Sequence, residues 1–109
     1  GYAARLRAES LQQDGRGKLV MVAGQDQERS RAFGQPYGAE ASRTWQDLVQ
    51  HPALDLIIIS TINRDHGRIA HAALEAGKHV VVEYPLALDV VTAQELVALA
   101  TAQNRLLHV

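Results

Sequence analysis

The ten residues Ala76-Gly77-Lys78-His79-Val80-Val81-Val82-Glu83-Tyr84-Pro85 decide how this chain folds. They read as a helix end, a stop glycine, a short aliphatic strand, and three residues that a sheet does not need. Gly77 can take the left-handed conformation that closes a helix. Val80 to Val82 are β-branched and consecutive, which predicts a strand covered on both faces. Glu83-Tyr84-Pro85 falls just past the carboxyl end of that strand, the edge at which open parallel sheets bind ligands.

Working outward, Asp65 to Ala76 predicts an amphipathic helix, because Ile69, Ala72, Ala73 and Ala76 keep the i, i+3, i+4, i+7 spacing. Asn63 is placed to cap it. Leu54 to Ser60, built around Ile57-Ile58-Ile59, is a second buried strand. On the far side, Asp89 caps a helix whose buried stripe is Ala93, Leu96, Val97 and Ala100, and Leu106 opens another strand. The first half repeats the rhythm. Tyr2 to Asp14 is rich in good helix formers, with Ala4, Ala8 and Leu11 on one face and Gly15 as a stop. Leu19 to Ala23 is a buried strand ending at Gly24, and Gln27 to Phe33 is a short helix. Gly34, Pro36 and Gly38 punctuate a loop, and Ala39 to Ala41 makes a brief edge strand. Thr44 with Asp47 resembles a capping box for a helix that runs through Val49 and ends at His51-Pro52. Strands alternating with helices define an α/β fold, a Rossmann-type parallel sheet with flanking helices.

At 109 residues the chain holds one domain at most. Its 47% apolar and 21% charged content is that of a globular protein, and a net charge of -1 gives no reason to expect nucleic acid or an acidic membrane surface as partner. No cysteine is present, which excludes disulfides and thiolate metal sites. No apolar run reaches membrane-spanning length and no signal sequence stands out, so a cytoplasmic location is expected. The chain opens on helix-like Gly1-Tyr2-Ala3-Ala4-Arg5 and closes on the strand-like Leu106-Leu107-His108-Val109. That predicts a piece of a longer protein that lacks the first strand of its sheet.

Several residues carry possible chemistry. A helix opening on Gly1-x-x-Ala4 matches the second half of the G-x-G-x-x-G/A dinucleotide fingerprint, where backbone N–H groups receive a pyrophosphate. Dinucleotide proteins selective for NAD place an acidic residue at the tip of the next strand. Here that tip is Gly24, followed by Gln25. Without a carboxylate, nothing repels the extra phosphate of NADP, and Arg29 can meet it with a bidentate contact. Asp26 argues mildly the other way. A second reading makes Arg29 and Arg31 a solvated helix face. Asp14-Gly15-Arg16-Gly17 is a plain turn, since its glycines do not keep phosphate-loop spacing before Lys18.

Ser60-Thr61-Ile62-Asn63 offers small polar groups at a strand tip, where a cofactor can approach the backbone. His66 either points toward such a ligand or lies on the surface. No histidine pair has metal-ligand spacing, and His71 with Glu75 reads as an i, i+4 pair in solvent. A phenol ionises near about pH 10, so the residue type at position 84 donates a hydrogen bond at neutral pH rather than acting as a base.

Together these residues resemble the nucleotide-binding half of the glucose–fructose oxidoreductase and inositol dehydrogenase family. The likeness runs from Asp55 and the strand Leu56 to Ile59, through Asn63 and His66, to Ala-Gly-Lys-His-Val-x-Val-Glu-x-Pro at Ala76 to Pro85. Most of that family carries lysine between the Glu and the Pro. Tyr84 stands there instead, as in the Val-Glu-Tyr-Pro motif of the biliverdin reductases, and the wording of Gly1 to Leu11, Thr61 to His66 and Val80 to Leu86 looks like their cyanobacterial type.

The resemblance implies an NADPH-dependent enzyme passing hydride to the central methine bridge of biliverdin to give bilirubin. It makes residues 1–109 an incomplete NAD(P)-binding Rossmann domain, with a C-terminal substrate domain absent. It implies that Gly1, Tyr2 and Ala3 line the pyrophosphate, and Gly24, Gln25 and Arg29 the adenosine ribose phosphate. Ser60, Thr61, Ile62, Asn63 and His66 would line the middle of the cofactor, with Glu83, Tyr84 and Pro85 beside the nicotinamide. No metal is implied, and the oligomeric state is left open. Tyr84, the implied catalytic residue, either donates a proton or orients the ligands; orientation is favoured because a phenol is a poor acid near neutral pH. The alternatives are a sugar or polyol dehydrogenase of the same family, against which Tyr84 argues, and a non-catalytic NADP-binding sensor.

Overall fold

Gly15 and Gly77 hold φ values of 76° and 80°, and each ends a helix where the sequence predicts a stop. Around them the computed structural model, which describes residues 1–109, sets out a regular alternation of elements. The order is α1 (Tyr2–Asp14), β1 (Met21–Val22), α2 (Gln27–Gly34), a 3-10 turn (Gln35–Tyr37), β2 (Glu40–Ala41), α3 (Trp45–Gln50), β3 (Leu56–Ile59), α4 (Asn63–Glu75), β4 (His79–Val82), α5 (Val90–Gln103) and β5 (Leu107–His108). The chain divides into two units, Gly1–Leu48 and Val49–Val109. No helix is long and apolar enough to cross a membrane.

In the first unit β1 and β2 pair in parallel, Met21 opposite Glu40 and Val22 opposite Ala41. The strand predicted over Leu19 to Ala23 is shorter than expected and only half-buried. The ladder with β2 is two residues long, and Val20 O, just before it, accepts from Glu40 N at 3.0 Å. α2 packs on both strands. Asp26 starts α2, and Thr44 Oγ1 accepts from Asp47 N at 3.0 Å to start α3.

In the second unit β3, β4 and β5 form a parallel sheet with β4 in the middle. Ile57, Ile59, Val80 and Val82 are buried, whereas Ile58 and Val81 are half-buried and Leu56 is exposed. Burial therefore alternates, and the expectation of full cover on both strand faces does not hold. α4 packs on β3 and β4 and α5 packs on α4, so this unit layers one helix directly on those strands.

α4 closes through a paired turn in which Gly77 N donates to Leu74 O and Lys78 N to Ala73 O, both at 3.0 Å. Lys78 then turns inward. It is buried, and its Nζ donates to His51 O at 2.7 Å and Leu54 O at 2.6 Å, which fixes the approach to β3. Asp89 caps α5 as predicted, accepting from Thr92 N at 2.7 Å and Thr92 Oγ1 at 2.9 Å. These donors hold its carboxyl below the usual carboxylate range. Leu96 and Ala100 are buried on α5, but Val97, on the same predicted stripe, is exposed at 55%.

Asn63 does not cap α4. It is the first helical residue; Ile62 is the cap and supplies no side-chain bond. The shift follows from Asp65 N bonding to Ile62 O at 3.0 Å, which starts the helix one residue early.

Candidate functional site

Parallel pairing decides what meets at the carboxyl edge of the second unit. Ile59 lies opposite Val82, and Glu83 N donates to Ile59 O at 3.0 Å. The turns Ser60–Asn63 and Glu83–Pro85 therefore leave neighbouring strand tips as two lips of one edge. Thr61, Ile62 and Asn63 are exposed, and Glu83 and Pro85 are half-buried. Tyr84 is 85% exposed, so its ring stands off the fold rather than plugging a gap beneath a loop. The Tyr84–Pro85 peptide is cis.

His66 joins the lips. Its ring is 1% exposed, with Nδ1 at 2.7 Å from Pro85 O and Nε2 at 3.0 Å from Thr61 O. Either neutral tautomer donates to one of these carbonyls and the charged ring donates to both. This corrects both sequence readings of the residue. His66 is neither on the surface nor aimed at a ligand, because both ring nitrogens are committed to main-chain oxygens. It positions the residues that face outward.

Two further features were not read from the sequence. Gly67 sits in close packing, since a Cβ there would lie 3.3 Å from Thr92 Cγ2 and 3.6 Å from Ala87 Cβ. The segment after Pro85 is thus pressed against α4. Ser60 Oγ is buried without a hydrogen-bond partner, at the strand tip and beside a helix start that no side chain caps. A buried hydroxyl left unpaired is costly, about 1–3 kcal/mol. An acceptor or donor brought to this edge would relieve it. The edge thus fits a ligand rich in polar oxygens, as a dinucleotide is.

The first unit holds the remaining predicted residues. Gly1 is the N-cap of α1 and supplies no side-chain cap bond. Tyr2 is exposed with the Arg5 guanidinium 5.9 Å from its ring centre, and Ala3 is half-buried. Gly24, Gln25 and Arg29 are exposed in the turn from β1 into α2. Asp26 does not face away from that turn: its Oδ1 accepts from Glu28 N at 3.0 Å and Arg29 N at 3.2 Å. An aspartate directly before a helix is a readable cap signal. Asp26 thus acts as a cap and not only as a charge. His71 and Glu75 pair in solvent at 2.8 Å, as expected.

These arrangements are those of a nucleotide-binding α/β protein, and comparison with known proteins gives the class. The profile of the Gfo/Idh/MocA oxidoreductase family, NAD-binding Rossmann fold, matches residues 1–109, and the chain belongs to that family. It is similar to the crystal structure of biliverdin reductase from Synechocystis, in complex with biliverdin and NADP+, at 45% identity and a TM-score of 0.94, covering 99% of this chain and 34% of that one. It is 41% identical to biliverdin reductase A of Mus musculus over 63 residues, 58% of this chain and 21% of that protein. It is 36% identical to 1,5-anhydro-D-fructose reductase of Ensifer adhaerens over 85 residues, 77% of this chain and 26% of that protein. The chain thus spans about a third of the solved relative and about a quarter or less of these curated ones.

Proposed function

We propose that this chain is the cofactor-binding part of an NADPH-dependent biliverdin reductase, with a further domain supplying the pigment platform. The observation that carries the reading is Tyr84, in Val82-Glu83-Tyr84-Pro85, standing 85% exposed at the carboxyl edge where most of the family has lysine. The likeness over nearly the whole chain to a biliverdin reductase solved with NADP+ supports it. The bound cofactor supplies a hydride. Ser60 to Asn63 bind its middle portion, with Ser60 Oγ gaining the partner it lacks in the fold. His66 holds the Thr61 and Pro85 carbonyls, and so keeps the two lips at a fixed separation. Glu83 and Pro85 flank the nicotinamide. Tyr84 presents its hydroxyl to nicotinamide or pigment and orients them, a role that requires no charged ammonium. At the adenosine end Gly1, Tyr2 and Ala3 receive the pyrophosphate, and Gly24, Gln25 and Arg29 the ribose phosphate. A cytoplasmic protein is the corresponding expectation.

The test mixes the full-length protein with NADPH and biliverdin and follows the loss of the pigment's red absorption. Turnover with biliverdin, and none with sugars or polyols, is expected. Binding of NADPH without pigment turnover would overturn the reading in favour of a sensor, and oxidation of a polyol would make it a sugar dehydrogenase. Tyr84→Phe should lower turnover about tenfold while NADPH affinity stays unchanged; unchanged turnover would reduce the hydroxyl to packing.

A further inference from the structure

The turn that leaves β1 is closed by its own polar groups, and that closure bears on which cofactor it accepts. Asp26 is the one carboxylate between Gly24 and Gln27. Its Oδ1 is spent on Glu28 N and Arg29 N, and its main-chain oxygen takes both Ser30 N and Ser30 Oγ at 3.0 Å. Ser30 is buried, so its hydroxyl is fixed in place beneath the strand tip. A Cβ built on Gly24 would lie 3.0 Å from that hydroxyl. Gly24 is not among the glycines with positive φ. Its lack of a side chain therefore answers to Ser30 and not to backbone shape.

We infer that Ser30 is a positioning residue for cofactor selectivity, and that the capping role of Asp26 keeps its carboxylate out of that selection. Ser30 keeps a side chain off position 24, from which a carboxylate would grip the ribose hydroxyls, and Asp26 holds its own carboxylate against the start of α2. This rests on the NADPH reading above and names the residue that enforces it. The physical content is twofold. A carboxylate that already accepts two backbone N–H groups at a helix start is stabilised there and is not aimed at a ribose. With those two N–H groups taken, the start of α2 has less to offer an anion, which leaves a 2′-phosphate to side chains such as exposed Arg29. Charge at position 26 is thus nearly silent toward the cofactor, while bulk at position 24 is not.

The test uses the full-length protein, dissociation constants for NADPH and NADH by fluorescence titration, and thermal melts. Asp26→Asn retains an N-cap of equal quality and removes the charge, so the NADPH-to-NADH affinity ratio should stay within about twofold of wild type. A ratio that moves about fivefold or more would mean the charge reads the ribose, and would overturn the inference. Gly24→Asp should lower the melting temperature and weaken binding of both cofactors. Adding Ser30→Ala should restore the melt and turn the preference toward NADH by about tenfold or more. If Gly24→Asp alone gains NADH at an unchanged melting temperature, Ser30 is no barrier and the inference falls. Should the double variant fail to fold, the Gly24→Asp single variant still decides, by whether NADH affinity rises at an unchanged melting temperature. A wild type that prefers NADH sinks the NADPH reading and takes this inference with it. A wild type that prefers NADPH, with a shifted Asp26→Asn ratio, sinks the inference alone.

Discussion

The turn after β1 and the turn after β3 share one local plan, a strand tip running into a helix start, but they finish it differently. At the first, Asp26 takes two helix N–H groups and Ser30 Oγ is bonded to Asp26 O. At the second, Ile62 caps nothing and Ser60 Oγ is buried without a partner. The first turn has those two helix N–H groups already taken, which leaves a ligand the side chains there. The second carries an unmet hydrogen bond and an open helix start, which by the ordinary cost of unpaired buried groups makes it the better receiver. What holds the second turn in shape is not its own cap but His66, reaching from α4 to the next strand's loop.

Breaking that brace should have the largest effect. His66→Ala leaves two carbonyls and a ring-sized void, and is expected to cost about 2–4 kcal/mol in denaturant unfolding, with a fall in turnover. A cost no greater than that of losing one helix cap would mean that the second turn does not depend on this ring. Asp26→Ala, which opens the first turn, should cost about 1 kcal/mol. The same substitution should leave α4 unaffected, as amide exchange of its first turn would report. Ser60→Ala sharpens the contrast, because deleting an unpaired buried hydroxyl should leave stability unchanged or raise it by up to about 1 kcal/mol. NADPH affinity should fall at the same time. A clear loss of stability would mean Ser60 is already satisfied in the fold, and the two turns would then be alike.

The smallest effect is electrostatic. Asp89 caps α5 and its carboxyl titrates below its unfolded value because Thr92 donates to it twice. A depressed folded value means its contribution is fully present above the unfolded carboxylate pKa of about 3.9 and is lost as pH falls through the lower folded value. Wild type should therefore lose part of its advantage over Asp89→Ala as pH drops below about 4, and Asp89→Asn should remove that pH dependence.

Features carried by a residue's own neighbours were legible in the sequence. Gly77 as a stop, Asp89 as a cap, the helix over Tyr2 to Asp14 and the strand at Val80 follow from spacing and residue type. The edge bearing Ser60 to Asn63 and Glu83 to Pro85 was legible too, because parallel pairing brings successive strand tips together. What stayed hidden depends on contacts that no local pattern encodes. His66 meets a carbonyl 19 positions away. Gly67 is explained only by Thr92 and Ala87 lying across from it, and Gly24 only by the hydroxyl of Ser30. Val97 fits the helical period, yet packing leaves it exposed. Periodicity names a face; it does not say where the cover ends.

Lys78 gives this molecule a reporter that needs no engineering. The chain has two lysines, Lys18 in the open and Lys78 at 7% exposure with its ammonium bonded to the His51 and Leu54 carbonyls. An amine-acylating reagent should mark Lys18 at once, and reach Lys78 only when β4 lets go of the preceding loop. The lag between the two adducts in a mass spectrum would time the breathing of the second unit in native solution.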